Sequence, residues 1–324
     1  MVDMFKKMTV SYAAFCLSIV FFMGCEEGEL FDERQEIAIT TSSQALYDTT
    51  DFLFVSDVTQ CTNTTYTNAM NVYNLALSGS KEVLMTEGNN CTSTSPDPYY
   101  RDWGFDDIWG DDLDRIHPVP GNHDYMTGIQ YYQDYFDDLY GHGSVTPNND
   151  NWAIIRLDSN YPESSYGGMS DYWWYEQMVT VSNALYMAVE YEGKQCVLVY
   201  CHFPRYSTGP HGNISHDRMV ELWELFYQYK VDLVLSGHDH DYERFYPMDA
   251  HGNRDDTDGI VQIVDGTGGA TLSSSWSRSD DNSAYRKRTS HGLVEIDLQD
   301  TAFRTVFRST SGNTYDYYTR NCTD

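Results

Sequence analysis

Three short polar runs, each placed directly after an apolar run, constrain the fold of this chain most. The apolar runs have the length and composition of buried strands, and each ends where a loop begins. The carboxyl ends of strands in an open α/β sheet form the ligand crevice, so we expect the polar runs to meet there. The three pairs are Arg115–Pro120 with Gly121–Asp124, Cys196–Tyr200 with Cys201–Pro204, and Val231–Leu235 with Ser236–Arg244.

The residue types in these polar runs indicate metal binding. Neutral imidazole is a common ligand for zinc, iron and similar metals. His238 and His240 flank a single residue, so both imidazoles can face the same crevice after a strand. Because Asn122 and His202 follow other strands, the set predicts one metal site rather than separate surface histidines.

The order of the elements predicts the fold class. Strand-like and helix-like segments alternate in the earlier part of the chain, and only strand-like segments follow from Ile260 onward. This order favours an α/β sandwich of two packed sheets flanked by helices. The predicted strands are Asp51–Ser56, Glu82–Thr86, Ile116–Pro120, Trp152–Leu157, Cys196–Tyr200, Val231–Leu235, Ile260–Val264, Gly292–Ile296 and Phe303–Arg308, and the predicted helices are Tyr66–Leu77, Gly128–Leu139, Asp171–Tyr191 and His216–Tyr229.

The charge of the chain limits its partners. The 324 residues include 20 Lys and Arg against 49 Asp and Glu, a net charge of −29. The sequence has no basic stripe, so we expect neither nucleic acid nor an anionic membrane surface as a partner. A polyanionic substrate would also be repelled at long range, unless bound metal reverses the field locally.

The N-terminus has the pattern of an export signal. Lys6 and Lys7 precede the apolar stretch Val10–Met23, which is short for a membrane span. Gly24 before Cys25 resembles a bacterial lipoprotein cleavage site, after which Cys25 would carry lipid; an ordinary secretory signal is the other interpretation. We expect a signal peptide over residues 1–24, a polar tether over 25–48 and one domain over 49–324. The protein would then be secreted, or bound to a membrane only through its lipid anchor.

From Asp51 to Gly269 the motifs resemble, in order, those of the calcineurin-like metallophosphoesterases, in particular the purple acid phosphatase branch. The resemblance implies a four-layer α/β/β/α sandwich of two mixed sheets. It also implies two metal ions about 3.5 Å apart, which activate a water molecule as a hydroxide for attack on a phosphate ester. The matching residues are Asp57 for the first motif, Gly121–Asp124 for the most distinctive one, His202–His211 for the fourth and Gly237–Arg244 for the fifth.

The resemblance also implies a role for each matching side chain. One or two iron, zinc or manganese ions would be held by five side chains, and two further histidines would act on a small phosphorylated substrate. Asp57 and His240 would hold the first metal, Asn122, His202 and His238 would hold the second, and His123 and His211 would bind the phosphate and stabilise or protonate the leaving group.

The second motif departs from the family pattern. The family has a Gly-Asp pair there, whose carboxylate bridges the two metals, and the purple enzymes have a tyrosine three residues later. In this chain Gly88 falls at the aspartate and Cys91 at the tyrosine. Two ions this close repel each other strongly without a bridging carboxylate. Three alternatives follow: Glu87 bridges in place of the aspartate, Cys91 is a thiolate ligand for zinc, or the site binds one metal weakly or none.

The cysteines and the function each leave alternatives open. For an exported protein we favour a disulfide between Cys61 and Cys91, since both follow strand ends, over the alternative that all the cysteines are unpaired. For the function, the first hypothesis is an exported metal-dependent phosphoesterase. The alternative is a catalytically impaired surface protein that binds a phosphorylated or other ligand in the same crevice, because Gly88 replaces the bridging aspartate.

Overall fold

Two mixed β-sheets form the centre of the molecule. The computed structural model describes residues 50–58, 62–78, 81–86, 105–137, 142–147, 149–162, 164–165, 167–214 and 217–323. The strands are β1 Phe52–Ser56, β2 Glu82–Thr86, β3 Ile116–Val119, β4 Gly143–Val145, β5 Trp152–Arg156, β6 Cys196–Tyr200, β7 Leu233–Ser236, β8 Tyr242–Phe245, β9 Val261–Asp265, β10 Ser283–Lys287, β11 Gly292–Gln299, β12 Ala302–Ser309 and β13 Thr314–Asn321.

Helices connect the earlier strands, as the sequence predicts. The α-helices are α1 Asn63–Leu77, α2 Phe105–Trp109, α3 Asn122–Thr127, α4 Ile129–Phe136, α5 Asp171–Tyr186 and α6 Asp217–Gln228. A 3₁₀ segment, Gly110–Arg115, precedes β3, and a π-helical turn, Met187–Tyr191, extends α5. Among the described residues, no helix is both long enough and apolar enough to cross a membrane.

The strand order places the earliest and the latest strands side by side. The first sheet has the order β13-β12-β11-β1-β2-β3, in which β1, β2 and β3 run parallel and β11 pairs antiparallel with β1. The second sheet has the order β10-β8-β9-β7-β6-β5-β4, with β5, β6, β7 and β9 parallel. Parallel strands are covered on both faces, and accordingly every residue of β1 and β6 is buried.

Three apolar clusters show that the molecule has four layers. One cluster lies between the sheets, where the rings of Tyr242 and Phe307 stack with their centroids 4.4 Å apart. A second packs α5 and α6 against the outer face of the second sheet, through residues such as Trp174 and Trp223. The third packs α1, α2 and α4 against the outer face of the first sheet. The predicted α/β/β/α sandwich of two mixed sheets is therefore confirmed.

Four strands and two helices of the structure were not predicted, and one of these helices, α2, has only five residues. Strands β10 and β13 are rich in polar residues and only partly buried, and each forms an edge of its sheet, so neither has the apolar run used to recognise a strand. Strand β4 has only three residues. Strand β8 and helix α3 lie within the polar motifs, which contain no apolar run from which a strand or helix could be predicted.

One disulfide is present among the described residues. Cys196, at the start of β6, is bonded to Cys322, which follows β13, so the bond joins the second sheet to the end of the last strand of the first. The alternative that all the cysteines are unpaired is therefore wrong. The sequence does not indicate this bond, because Cys196 begins an apolar run and has the pattern of a packing residue. Cys201 is a buried free thiol.

Candidate metal centre

The seven residues predicted for the site lie in loops at the carboxyl ends of parallel strands. Asp57 follows β1, and His202 follows β6. His238 follows β7, and His240 stands between β7 and β8. Asn122 and His123 are the first residues of α3, which directly follows β3. His211 ends the loop that starts at His202.

Two pairs of potential ligand atoms lie close together. His202 Nε2 is 2.8 Å from Asn122 Oδ1, and His240 Nε2 is 3.6 Å from Asp57 Oδ1. Donor atoms that share an ion about 2.1 Å away lie roughly 3 Å apart, so each pair fits one ion. The rings of His202 and His238 have centroids 5.4 Å apart, which places His238 beside the first pair. The donors are nitrogen and oxygen, a set that suits zinc, iron or manganese.

The backbone and carboxylate of Asp57 are held in a specific arrangement. The residue is buried and has a positive φ of 54°. Its Oδ2 accepts hydrogen bonds from the Ser56 hydroxyl at 2.7 Å and from the His238 backbone N–H at 2.8 Å. Burial alone would raise the pKa of Asp57, but the neighbouring His202 and His240 outweigh it and hold the pKa well below its ordinary value. Asp57 is therefore a carboxylate aimed at the histidines.

Burial keeps two of the predicted ligand imidazoles neutral. It lowers the pKa of His202 to about 4, and it lowers the pKa of His238 well below the ordinary value. His240 behaves differently: burial lowers its pKa, but the Asp57 carboxylate more than offsets this and raises it. Neutral imidazole is the form that coordinates metal, so His202 and His238 are already in that state near neutral pH.

The two histidines predicted to contact phosphate flank this group. Burial lowers the pKa of His123, which is half-buried, to about 4. His211 is exposed, and its ring centroid is 4.3 Å from that of His238. The backbone N–H of His211 donates a hydrogen bond to Asp239 Oδ1 at 3.0 Å. His123 is thus the more buried of the two, and His211 is the more exposed to solvent.

Two buried acidic residues that were not assigned a role hold the loop from His202 to His211. Asp239 accepts a hydrogen bond from the Ser207 hydroxyl in addition to that from His211. Glu243 accepts hydrogen bonds from the backbone N–H and the hydroxyl of Thr208, both at 2.7 Å. No pattern within the segment from His238 to Glu243 indicates these contacts, because Ser207 and Thr208 lie 32 and 35 residues earlier in the chain than the acids that bind them.

Glycines allow the two sheets to approach each other at the centre. A Cβ atom on Gly237 would lie 1.7 Å from Ser56 Oγ, and one on Gly266 would lie 2.2 Å from the Asp239 carbonyl oxygen. The backbone N–H of Gly268 donates a hydrogen bond to the Ser56 carbonyl at 2.9 Å. The run from Gly266 to Gly269 is therefore part of the wall behind Asp57.

Some predictions fall outside the described residues. These are the bridging role of Glu87 in place of an aspartate at Gly88, the disulfide between Cys61 and Cys91, zinc ligation by Cys91, and lipidation of Cys25. They remain predictions. Within the described residues, Cys196, Asp232 and Cys322 have potential ligand atoms within 4.8 Å of one another, but both sulfur atoms are used in the disulfide.

Comparisons with known proteins give a matching family model and solved structures with a similar fold. The family model described as calcineurin-like phosphoesterase matches residues 50–242. Among solved structures, the purple acid phosphatase PPD1 from yellow lupin (Lupinus luteus) seeds is similar, with a TM-score of 0.61, 14% identity, and coverage of 84% of this chain and 53% of the lupin chain. This chain thus spans about half the length of the lupin enzyme.

Two further solved structures share the fold. GAP50, the anchor in the inner membrane complex of Plasmodium, has a TM-score of 0.61 and 16% identity, with 84% of this chain and 88% of that chain covered. PhoD has a TM-score of 0.56 and 10% identity, with 84% and 68% covered. No curated protein sequence matches this chain. At these identities the structural likeness shows the fold alone.

Proposed function

Because the chain belongs to the calcineurin-like phosphoesterase family, we propose that it is a metal-dependent phosphatase or phosphodiesterase. The observation that carries this proposal is the convergence of the Asp57–His240 pair with Asn122, His202 and His238 at one edge of the two sheets. The net charge of −29 repels anionic substrates, so cations held at this edge would be needed to attract a phosphate ester.

Each side chain contributes to this chemistry through its position. Bound ions would withdraw charge from the phosphoryl oxygens and make a water molecule more acidic. Asp57 and His240 would hold one ion and Asn122, His202 and His238 the other. His123 and His211 would donate hydrogen bonds to the phosphoryl oxygens, and His211, the exposed one, would supply a proton to the departing oxygen. Asp239 fixes the backbone of His211 for this purpose.

The test is hydrolysis of para-nitrophenyl phosphate by purified protein supplied in turn with zinc, manganese and ferrous iron. We expect His202→Ala to lower kcat/KM by at least about 100-fold, because a metal contributes several kcal/mol to the transition state. It should also lower the amount of metal retained after desalting. His251→Ala is the matched control, since His251 is exposed and lies outside the centre. Equal activity in the wild type and His202→Ala would contradict the proposal.

A second candidate function is ligand binding without catalysis. It is favoured by Gly88 at the position of the bridging aspartate, and a fold of this kind occurs in the Plasmodium anchor protein GAP50. The two candidates differ in what Gly88→Asp and Glu87→Ala would do. A large gain in rate with Gly88→Asp would show that the missing carboxylate limits catalysis. Loss of existing activity in Glu87→Ala would show that Glu87 has replaced it.

We further propose that the protein acts outside the cytoplasm, bound to a membrane through lipid on Cys25 or secreted. The support is the charged start, the apolar stretch and the Gly24-Cys25 pair of the first 25 residues. The disulfide between Cys196 and Cys322 supports an oxidising compartment. Cell fractionation tests the anchor: Cys25→Ala should move the protein from the membrane fraction to the soluble fraction.

A further inference from the structure

A cavity is lined in part by residues of α3, the helix that begins at the candidate ligand Asn122. It has a volume of about 420 Å³, which is within the range of cavities that hold small molecules. Its walls are α3, α4, the start of α5 and the loop that follows β5. The described lining residues are Tyr125, Ile129, Gln133, His142, Asp158, Gly168, Met169, Ser170, Trp173 and Gln177.

The lining favours an uncharged, flat ligand. Two aromatic rings, Tyr125 and Trp173, and the apolar side chains of Ile129 and Met169 offer surfaces on which a ring can pack. None of the described lining residues is lysine or arginine, so the cavity offers no permanently charged cation to a phosphate or carboxylate; His142 is the one imidazole among them. Amide and hydroxyl groups complete the lining and can orient one polar substituent.

The one carboxylate in the lining is already engaged by the protein. Asp158 Oδ2 accepts a hydrogen bond from the Tyr125 hydroxyl at 2.6 Å. Asp158 Oδ1 accepts hydrogen bonds from the backbone N–H of Asn160 at 2.8 Å and from its side-chain amide at 2.7 Å. A cationic ligand would have to displace these donors, so the cavity suits a neutral ligand better than an amine.

The cavity shares its walls with the loops that carry the candidate ligands. Tyr125 is on α3, which begins at Asn122 and His123. The side-chain amide of Asn160 donates to the Pro120 carbonyl at 3.1 Å, directly before the Gly121-Asn122 pair. The hydroxyl of Ser159 accepts a hydrogen bond from the Phe203 backbone N–H at 2.7 Å, directly after His202. One turn, Asp158–Asn160, therefore joins the cavity to both loops.

We propose that this cavity binds the leaving group of the substrate, and that the leaving group is an uncharged aromatic or heteroaromatic alcohol. This inference rests on the proposed phosphoesterase function. In the reaction the oxygen of water bonds to phosphorus, the bond between phosphorus and the ring oxygen breaks, and that oxygen takes up one proton. The ring alcohol then leaves from the cavity, and phosphate leaves from the metal centre.

The kinetic test compares an aryl ester, para-nitrophenyl phosphate, with a small alkyl ester, glycerol phosphate. Ile129→Trp would fill part of the cavity, and we expect it to lower the ratio of the kcat/KM values, aryl over alkyl, by at least about 10-fold. Met169→Trp fills the cavity from another wall and is the second variant if the first fails to fold. Val179→Trp, on the exposed face of α5, is the control and should leave the ratio unchanged. An unchanged ratio in both folded cavity variants would overturn the proposal.

A binding measurement separates this proposal from the proposed function. Calorimetric titration with naphthol, a neutral aromatic alcohol, needs no catalysis. We expect one site in the wild type, and binding at least about 10-fold weaker in Ile129→Trp. No binding to the wild type would overturn the cavity assignment even if phosphatase activity is present. Naphthol binding with no hydrolysis of any phosphate ester would overturn the proposed function and, with it, the leaving-group role.

Discussion

Among single residues, Asp158 is a buried acid that lies outside the candidate ligand set. Its side chain is 2% exposed, and burial raises its pKa to about 7 in spite of the hydrogen bonds from Tyr125 and Asn160. A carboxyl group in the unfolded chain titrates near 3.9. Between about pH 4 and about pH 7, Asp158 is therefore mostly protonated in the folded protein and mostly ionised in the unfolded chain.

We expect Asp158→Asn to reduce the pH dependence of stability. With a raised pKa in the folded state, the free energy of unfolding falls as pH increases from about 4 to about 7, by at most about 4 kcal/mol from this group. Asparagine keeps the shape of the side chain and does not titrate, so this decrease should be smaller in the variant. Urea denaturation across that pH range measures it. Asp150→Asn, an exposed carboxylate, is the control, and identical pH slopes in Asp158→Asn and wild type would contradict the argument.

The predictability of a residue's role depended on the distance in sequence to its partners. The candidate ligands could be selected because histidine and asparagine directly after apolar runs form a local pattern. Asp239 and Glu243 were missed as positioning residues because the groups that they bind, in the loop from His202 to His211, lie about 30 residues earlier in the chain. No pattern within one segment indicates such a pair.

At the scale of the elements, helix α1 begins with a local capping arrangement that contributes to its stability. The Thr62 hydroxyl accepts a hydrogen bond from the Thr65 backbone N–H at 3.2 Å, and the Thr62 backbone N–H donates to the Thr65 hydroxyl at 3.0 Å. This reciprocal arrangement satisfies two N–H groups at the start of the helix. The helix packs its buried residues, among them Ala69 and Val72, against the first sheet.

We expect Thr62→Ala to lower the free energy of unfolding by about 1 kcal/mol, because the cap is lost while the packing stays. Thr67→Ala is the matched control. The Thr67 hydroxyl donates to the Asn63 carbonyl inside the exposed part of the helix, and its loss should change stability by less than about 0.5 kcal/mol. Guanidinium denaturation of both variants provides the comparison, and equal losses would show that the cap has no special weight.

The elements differ in how well the sequence predicts them, and their burial explains why. The strands β2 and β6 have the predicted bounds, since β2 contains four buried apolar or β-branched residues and β6 is a five-residue buried run. Strand β13, with the sequence TYDYYTRN, takes its conformation from pairing with β12 along most of its length. Five of its eight residues are tyrosine or threonine, which are enriched in strands, but no apolar run marks the segment as a strand.

For the whole molecule, the bond between Cys196 and Cys322 constrains a long part of the chain. It closes a loop of 126 residues that contains most of the second sheet and three strands of the first. The chain-entropy estimate for a loop of this length is about 5 kcal/mol. Asp232, which accepts hydrogen bonds from the backbone N–H groups of Val197 and Thr323, holds the same two segments together.

We expect Cys322→Ser to lower the free energy of unfolding by about 2 to 5 kcal/mol. Dithiothreitol should do the same to the wild type and should have no further effect on the variant. Cys201→Ser, which changes a buried thiol that forms no disulfide, shows the cost of the substitution alone. A midpoint of denaturation that is the same with and without reductant would contradict the expectation.

The pairing of β1 with β11 also has a consequence for the order in which the site is completed during synthesis. All seven candidate residues have been added once the ribosome passes His240, yet Phe52 lies opposite Ile296, which is made much later. Until then β1 lacks a neighbour on one side, and the glycine loop from Gly266 that backs Asp57 is also made only after His240. Pairings this distant in sequence form slowly. A nascent chain therefore carries every donor atom before it has the framework to hold them, and we expect ion uptake to begin only after β11 has been made and has paired with β1.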